Sequence, residues 1–426
     1  MKALTKISIG FLALVAVALW FTSCSSEDVA SGINQGKMSS LTLSINTGKS
    51  MGSRATDWTK DDPGADKVKT ENKINRVAIG IFSNEGKVKT IVELTPDETG
   101  TNSLSQTDAN HATAKIVTSS LDATDQVLVA INAPSGKFAG CKDKTAFMTK
   151  TESAAEALAN YDKTSLPTPT TQVEKNIPMF GSASLSDGTD GSFTANVEVI
   201  HMIAKVSLTS LKVDFKAVGA YSDAEFTPKA VFLINVPNSL QFDNNNAWLS
   251  AGYEHGWGAF DTDYKYDAAT PNTLAPDKFG GSTFAKYLTT SNLTGKTLKG
   301  VNSDTNNDDT YDRNVYFYTM PNGQVDNNAT KLVIAGQFKA PASGVDKVVY
   351  YPLFLNAKVN STGTGYDPVT VGSDAKKVYP NKNYKCSVVI RNIGADSPDI
   401  NLDPKAATIS ITVKDFEEVD QTTEFN

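Results

Sequence analysis

Apolar and polar residues alternate in short runs along most of the chain, the period-two pattern of half-buried strands. In the first run, residues 41–45, Leu41, Leu43 and Ile45 fall on one face and Thr42 and Ser44 on the other. Runs at 74–82 and 88–94 flank a turn at Asn84-Glu85-Gly86. Others follow at 113–117, 127–131, 193–200, 204–215, 230–236, 315–320, 332–338, 348–354, 384–390 and 407–413. They are rich in Val, Ile, Thr, Phe and Tyr, and Gly, Asn, Asp, Ser and Pro separate them, as strands and turns require. Helical spacing is clear only over about 144–161, where Phe147, Ala154 and Leu158 share a face. The pattern predicts an all-β fold of β-sandwiches with minor helical insertions.

The pattern is interrupted near 180–195. A Pro/Thr-rich stretch at 166–170 precedes Met179-Phe180-Gly181 and a Gly/Ser/Asp stretch at 186–192, after which alternation restarts. This places one domain at 55–193 and a second at 194–404. Residues 238–314 are polar, rich in Gly, Asn and Asp and poor in alternation, which predicts a long surface insertion.

The N-terminus sets the compartment. Lys2 and Lys6 precede an apolar run at 7–21 and then Phe21-Thr22-Ser23-Cys24. A positive start, a short apolar stretch and small residues before a cleavage point make residues 1–23 a signal peptide. The run is short of the roughly 20 residues of a membrane span, and no second stretch approaches one. Its end resembles a lipobox, with Phe21 where Leu is more usual, which makes Cys24 the lipidation site. Ser25-Ser26-Glu27-Asp28 resembles the acidic signal that sends Bacteroidetes lipoproteins to the cell surface. Cys141 and Cys386 are expected to be buried thiols, not a disulfide.

Candidate chemistry is sparse. The net charge is −7, with no basic patch for nucleic acid. The three histidines, His111, His201 and His255, have no metal-ligand spacing. His201 reads as a buried strand residue. Tyr253 and Trp257 flank His255 and offer rings for stacking on a sugar, although loop packing is the simpler expectation. Residues 304–309 match the first positions of a calcium loop. Asp309 stands where that loop needs Gly, however, and Val315 where it needs an acid. No catalytic residues, metal or cofactor are assigned, and the chain is not expected to be an enzyme.

The termini are more informative. After the first strand, residues 46–55 are small and Gly-containing, an exposed and cuttable segment that carries Arg54. Of 40 basic residues only Arg54, Arg76, Arg313 and Arg391 are arginine, and the last three adjoin strand runs. At the other end, Ala407, Ile409, Ile411 and Val413 alternate with polar residues, and Phe416 and Val419 continue an apolar thread. Extended at about 3.3 Å per residue, residues 405–426 reach on the order of 70 Å, beyond the roughly 40 Å of a typical domain. They either reach a neighbouring subunit or form a last strand of their own sandwich.

Taken in order, Phe21-Thr22-Ser23-Cys24, the 41–45 strand, Met51-Gly52-Ser53-Arg54-Ala55, Ile177-Pro178-Met179-Phe180-Gly181 with Ala204-Lys205-Val206, and the stretches 379–384 and 412–416 resemble the major fimbrillins of the Bacteroidales, FimA-like subunits of type V pili. Phe416 and Phe425 stand where relatives often have tryptophan. The resemblance implies two tandem transthyretin-like Greek-key sandwiches and a lipid-anchored precursor at the outer membrane that becomes an extracellular fimbrium. An Arg-specific maturation protease is then expected to cut between Arg54 and Ala55 and remove residues 24–54. The strand bearing Leu41, Leu43 and Ile45 leaves its groove. The 405–426 segment of another copy, with Ile409, Ile411, Val413, Phe416 and Val419, fills it by donor-strand exchange. Partners would be copies of the chain, head to tail, and other fimbrial subunits, in the service of adhesion. The alternatives are a surface glycan-binding lipoprotein or an accessory tip or anchor fimbrillin.

Overall fold

A computed structural model describes residues 38–47, 71–96, 99–106, 108, 110–158, 176–215, 221–243, 252–256, 288–291, 297–299, 310–311, 315–361, 365–369, 373–402 and 407–415. Cys24, Arg54, Ala55, Trp257, the 304–309 loop, Phe416 and Val419 lie outside these residues.

The first group of strands is β1 (Met38–Asn46), β2 (Val77–Phe82), β3 (Val88–Leu94), β4 (Ser103–Gln106), β5 (His111–Ser119) and β6 (Gln126–Ile131). The helix α1 (Lys144–Met148), β7 (Thr151–Ser153), the helix α2 (Ala154–Leu158), β8 (Met179–Ser184), β9 (Ser186–Asp187) and β10 (Ser192–His201) follow. The strands run in the order β3-β2-β6-β8-β10-β1-β5-β4, with β9 beside β10. Strand β10 serves two layers. Its first part pairs with β1 and β9, and its last residues, Val199–His201, pair with β8. Inward side chains of both layers form one apolar cluster that includes Leu43, Ile79, Val129, Met179 and Val197.

The second group is β11 (Ala204–Val213), β12 (Glu225–Ile234), β13 (Val236–Pro237), β14 (Ser239–Gln241), β15 (Tyr253–Glu254), β16 (Thr289–Ser291), β17 (Leu298–Lys299), β18 (Thr310–Tyr311), β19 (Val315–Thr319), β20 (Lys331–Ala340), β21 (Val345–Phe354), β22 (Lys358–Val359), β23 (Tyr366–Asp367), β24 (Lys382–Ile390) and β25 (Ala407–Asp415). One sheet runs β18-β11-β24-β25 with β19 on β11, and another runs β16-β12-β20-β21 with β17 on β12. Leu208, Val388, Val231, Ile334 and Tyr351, from both sheets, share a core. An all-β sandwich architecture is therefore found as expected.

The differences from expectation have identifiable causes. The boundary at 193/194 falls inside β10, which among the described residues pairs with strands of the first group, so sheet membership changes at Met202-Ile203. The predicted 144–161 helix is two short helices separated by β7, which hydrogen-bonds to β14 of the second group. That pairing, together with the stack of Phe138 on Phe147 and the edge contact of Phe138 with Phe242, ties the two groups together. The 238–314 insertion contributes short strands, and its Leu240, Phe242, Leu288 and Leu298 are buried. Cys141 and Cys386 are free and buried, as expected.

Gly181 sits where β8 meets β10. A Cβ there would stand 2.3 Å from the Glu198 carbonyl oxygen, so only glycine fits without displacing the backbone. Gly181→Ala is expected to lower stability by about 1–3 kcal/mol, measured by urea denaturation.

Candidate functional site

The centre of interest is the seat of β1. Residues Ser40–Asn46 run parallel to Ser192–Glu198 of β10. Residues Met38–Asn46 run antiparallel to β5, from Ser119 to His111. The strand is thus hydrogen-bonded on both sides within the sheet. Its alternation decides which side chains enter the core. Ser39, Leu41, Leu43, Ile45 and Thr47 are buried, whereas Met38, Ser40, Thr42 and Ser44 are exposed. The three apolar residues are at most 1% exposed. At roughly 1.5–3 kcal/mol each, their burial contributes on the order of 5–9 kcal/mol. Both ends are tied down. Ser40 N–H donates to the Gly191 carbonyl at 3.2 Å and Thr47 N–H to the Asn110 carbonyl at 2.8 Å. Leu121 N–H donates to Ser39 Oγ at 3.3 Å. Outside the core, Asn46 Nδ2 donates to Asn196 Oδ1 at 2.7 Å.

Without β1, β5 and β10 would each expose a row of unpaired backbone groups along an apolar slot. Such an edge is a template for another strand. The slot thus brings Leu41, Leu43 and Ile45 together as the sequence suggests. The proposed cleavage site between Arg54 and Ala55 belongs to residues 48–70, which join β1 to the rest of the chain outside the described residues.

The C-terminal segment lies on its own chain. β25 pairs antiparallel with β24, with Ile409 opposite Val388, Ile411 opposite Cys386 and Val413 opposite Tyr384. It is the last strand in that sheet's order. Of the two expectations for the tail, residues 407–415 display the local one, and their service as a strand between β5 and β10 of another copy would require β25 to leave β24.

A second feature has no counterpart in the sequence reading. Lys205 Nζ and Glu71 Oε1 form an ion pair at 2.8 Å with side chains 0% and 3% exposed. Tyr318 Oη also donates to Glu71 Oε1. His201 lies near the Glu71 carbonyl (3.3 Å) and the Asn381 side-chain amide (3.1 Å). The network joins the segment before β2 to β10, β11 and β19, so it spans both groups of strands. A Lys inside Ala204-Lys205-Val206 is the available signal, since a charge at a core position needs a partner.

The histidines do not form a centre. His201 is buried, as expected, and burial lowers its pKa. His111 is exposed and contacts Asp108 at 2.9 Å. His255 Nδ1 accepts from Asn235 N–H at 3.1 Å, and burial pushes its pKa down to about 4 from 6.5. His255 and Tyr253 line an open polar hollow of about 400 Å³ with Asn235, Asn327, Asp399 and Asn401. Among the described residues no group of three His, Cys, Asp or Glu is placed to hold a metal.

No family model matches the chain, and no curated protein does. Solved structures do match. A candidate cell-adhesion protein from Bacteroides eggerthii superposes with TM-score 0.53 at 18% identity, covering 89% of this chain and 96% of that one. A candidate cell-adhesion protein from Parabacteroides distasonis gives 0.54 at 13% identity, covering 90% and 99%. A fimbrilin of Porphyromonas gingivalis gives 0.51 at 15% identity, covering 89% and 99%. The chain has the fimbrillin fold.

Two predictions concern the buried groups. Lys205→Met strands the Glu71 carboxylate and is expected to cost about 3–5 kcal/mol. Adding Glu71→Gln should return much of that loss, as read by urea denaturation of both variants. For His255, the folded state holds the neutral ring, whereas the unfolded chain takes up a proton below 6.5. Stability therefore falls as pH drops from 6.5 toward 4. His255→Gln should flatten that fall, leaving the share due to His201.

Proposed function

We propose that the chain is a structural pilus subunit. On this reading it is exported as a lipoprotein through Cys24, cut after Arg54 by an Arg-specific protease at the cell surface, and polymerised by donor-strand exchange into a fimbrium that serves adhesion. The observation that carries the reading is the mid-sheet position of β1. A removable strand in that place, upstream of a cuttable segment, is what a polymerising subunit needs. The fimbrillin fold supports the same reading, as does the C-terminal strand, whose alternation suits a slot of this shape.

The order of events follows from energetics. While β1 is covalently attached, it competes for the slot at a very high effective concentration, and an incoming strand loses. Scission between Arg54 and Ala55 makes its departure irreversible by dilution. The incoming strand must then supply main-chain hydrogen bonds and apolar side chains to a slot that otherwise exposes both kinds of group. Donor and acceptor surfaces differ, so each contact is head to tail and the series does not close. No step calls for catalysis by the chain itself.

The glycan-binding alternative has one observation in its favour, the polar hollow at Tyr253 and His255. It predicts polysaccharide binding by the monomer and no polymer after cleavage.

Treating the purified chain with an Arg-specific protease is expected to give Ala55 as the new N-terminus by mass spectrometry and filaments by electron microscopy. Arg54→Ala should remain monomeric and, in cells, lipid-tethered. Filaments from Arg54→Ala would contradict the cleavage step, and a correctly cut chain that stays monomeric would contradict the polymerisation step.

A further inference from the structure

We infer that the slot fixes both the direction and the register of the strand that enters it: residues 407–415 of a second copy run parallel to β10, with Ala407 in the place of Ser39, Ile409 of Leu41, Ile411 of Leu43 and Val413 of Ile45. This rests on the donor-strand reading above and specifies the contact in that reading.

Register follows from the inward positions. The slot holds a small residue at Ser39, three apolar residues at Leu41, Leu43 and Ile45, and Thr47 at its exit, all buried. The donor sequence at alternate positions is Ala407, Ile409, Ile411, Val413 and Asp415. In the proposed register Asp415 takes the place of Thr47, just past the end of β1, whereas sliding the donor two residues one way carries it into the fully buried place of Ile45, an unpaired charge in the middle of an apolar cluster. Sliding it two residues the other way puts Ala407 in the place of Leu41 and leaves a cavity. A one-residue slip turns Thr408, Ser410 and Thr412 inward.

Direction follows from the outward face. In β1, Asn46 stands opposite Glu198 of β10 and His111 of β5. With the donor running as β1 does, Lys414 takes the place of Asn46 and faces the exposed Glu198 carboxylate, a favourable cross-strand pair. Run the opposite way about the same centre, Lys414 takes the place of Ser40, opposite Ser192 and Val117, where it meets no acid on either neighbour.

Cysteine pairs separate the two directions. Ser44 stands opposite Thr113 on the antiparallel neighbour β5, and both positions lie on the outward face. In the proposed direction Thr412 takes the place of Ser44, whereas in the reverse direction Ser410 does. The full chain carrying Thr113→Cys and Thr412→Cys, cut by the Arg-specific protease and oxidised, is expected to give a ladder of disulfide-linked multimers on a non-reducing gel. Thr113→Cys with Ser410→Cys should give none. A ladder from the second pair alone overturns the direction. Filaments by electron microscopy with a ladder from neither pair overturn the register. Absence of filaments from the unsubstituted cut chain overturns the donor-strand reading, and the register with it. As a second measurement that leaves the core untouched, Lys414→Glu should slow assembly about two- to five-fold at low salt, and adding Glu198→Lys should restore it. No change in rate from Lys414→Glu, or no rescue, counts against the direction.

Discussion

The pairing of β1 with β5 and β10 is the constraint on which the rest depends. A strand in the middle of a sheet satisfies backbone groups on two neighbours as well as its own, and here it also closes an apolar cluster. Removing it exposes more than its own length. The same property that makes β1 stabilising for a lone chain makes its seat attractive to a foreign strand of the same alternation. On the proposed reading, stability before cleavage and reactivity after it would be two aspects of one set of hydrogen bonds.

The second half of the molecule holds a strand in a less committed position. Among the described residues β25 pairs on one side only, with β24. A strand at the end of a sheet leaves with the loss of one ladder, whereas β1 leaves with the loss of two. Under the proposed function, that asymmetry would suit a segment secure enough to stay folded on its own chain and loose enough to move. Pairing with β24 occupies one backbone edge of β25, which limits indiscriminate strand addition.

The parts of this fold that the sequence makes legible are those whose alternation is strong. β1, β2, β5, β6, β10, β20 and β24 each carry apolar residues on one or both faces over several positions, and their type and rough limits follow from that. β8 is hidden because Met-Phe-Gly-Ser-Ala-Ser has little β-branched character; its strand conformation comes from lying between β6 and β10. β7 and β14 to β18 are two or three residues each and exist because of their tertiary partners, which no local pattern reveals. The helical spacing of Phe147, Ala154 and Leu158 is real but spans a break made by β7. Of the site, the residues of β1 are readable from their period. The Glu71–Lys205 pair is not, because its members are 134 positions apart and only the folded chain brings them together.

That buried pair has a mechanical consequence. In a filament of the proposed kind, tension enters each subunit where a neighbour's strand lies between β5 and β10, in the first group of strands, and leaves through the tail that follows β24, in the second. The load must cross the junction between the groups. Glu71, Lys205 and Tyr318, with Phe138, Phe147 and Phe242 in the chain's shared core, lie at that junction, so a buried ion pair and a cluster of rings would carry whatever force one group of strands hands to the other.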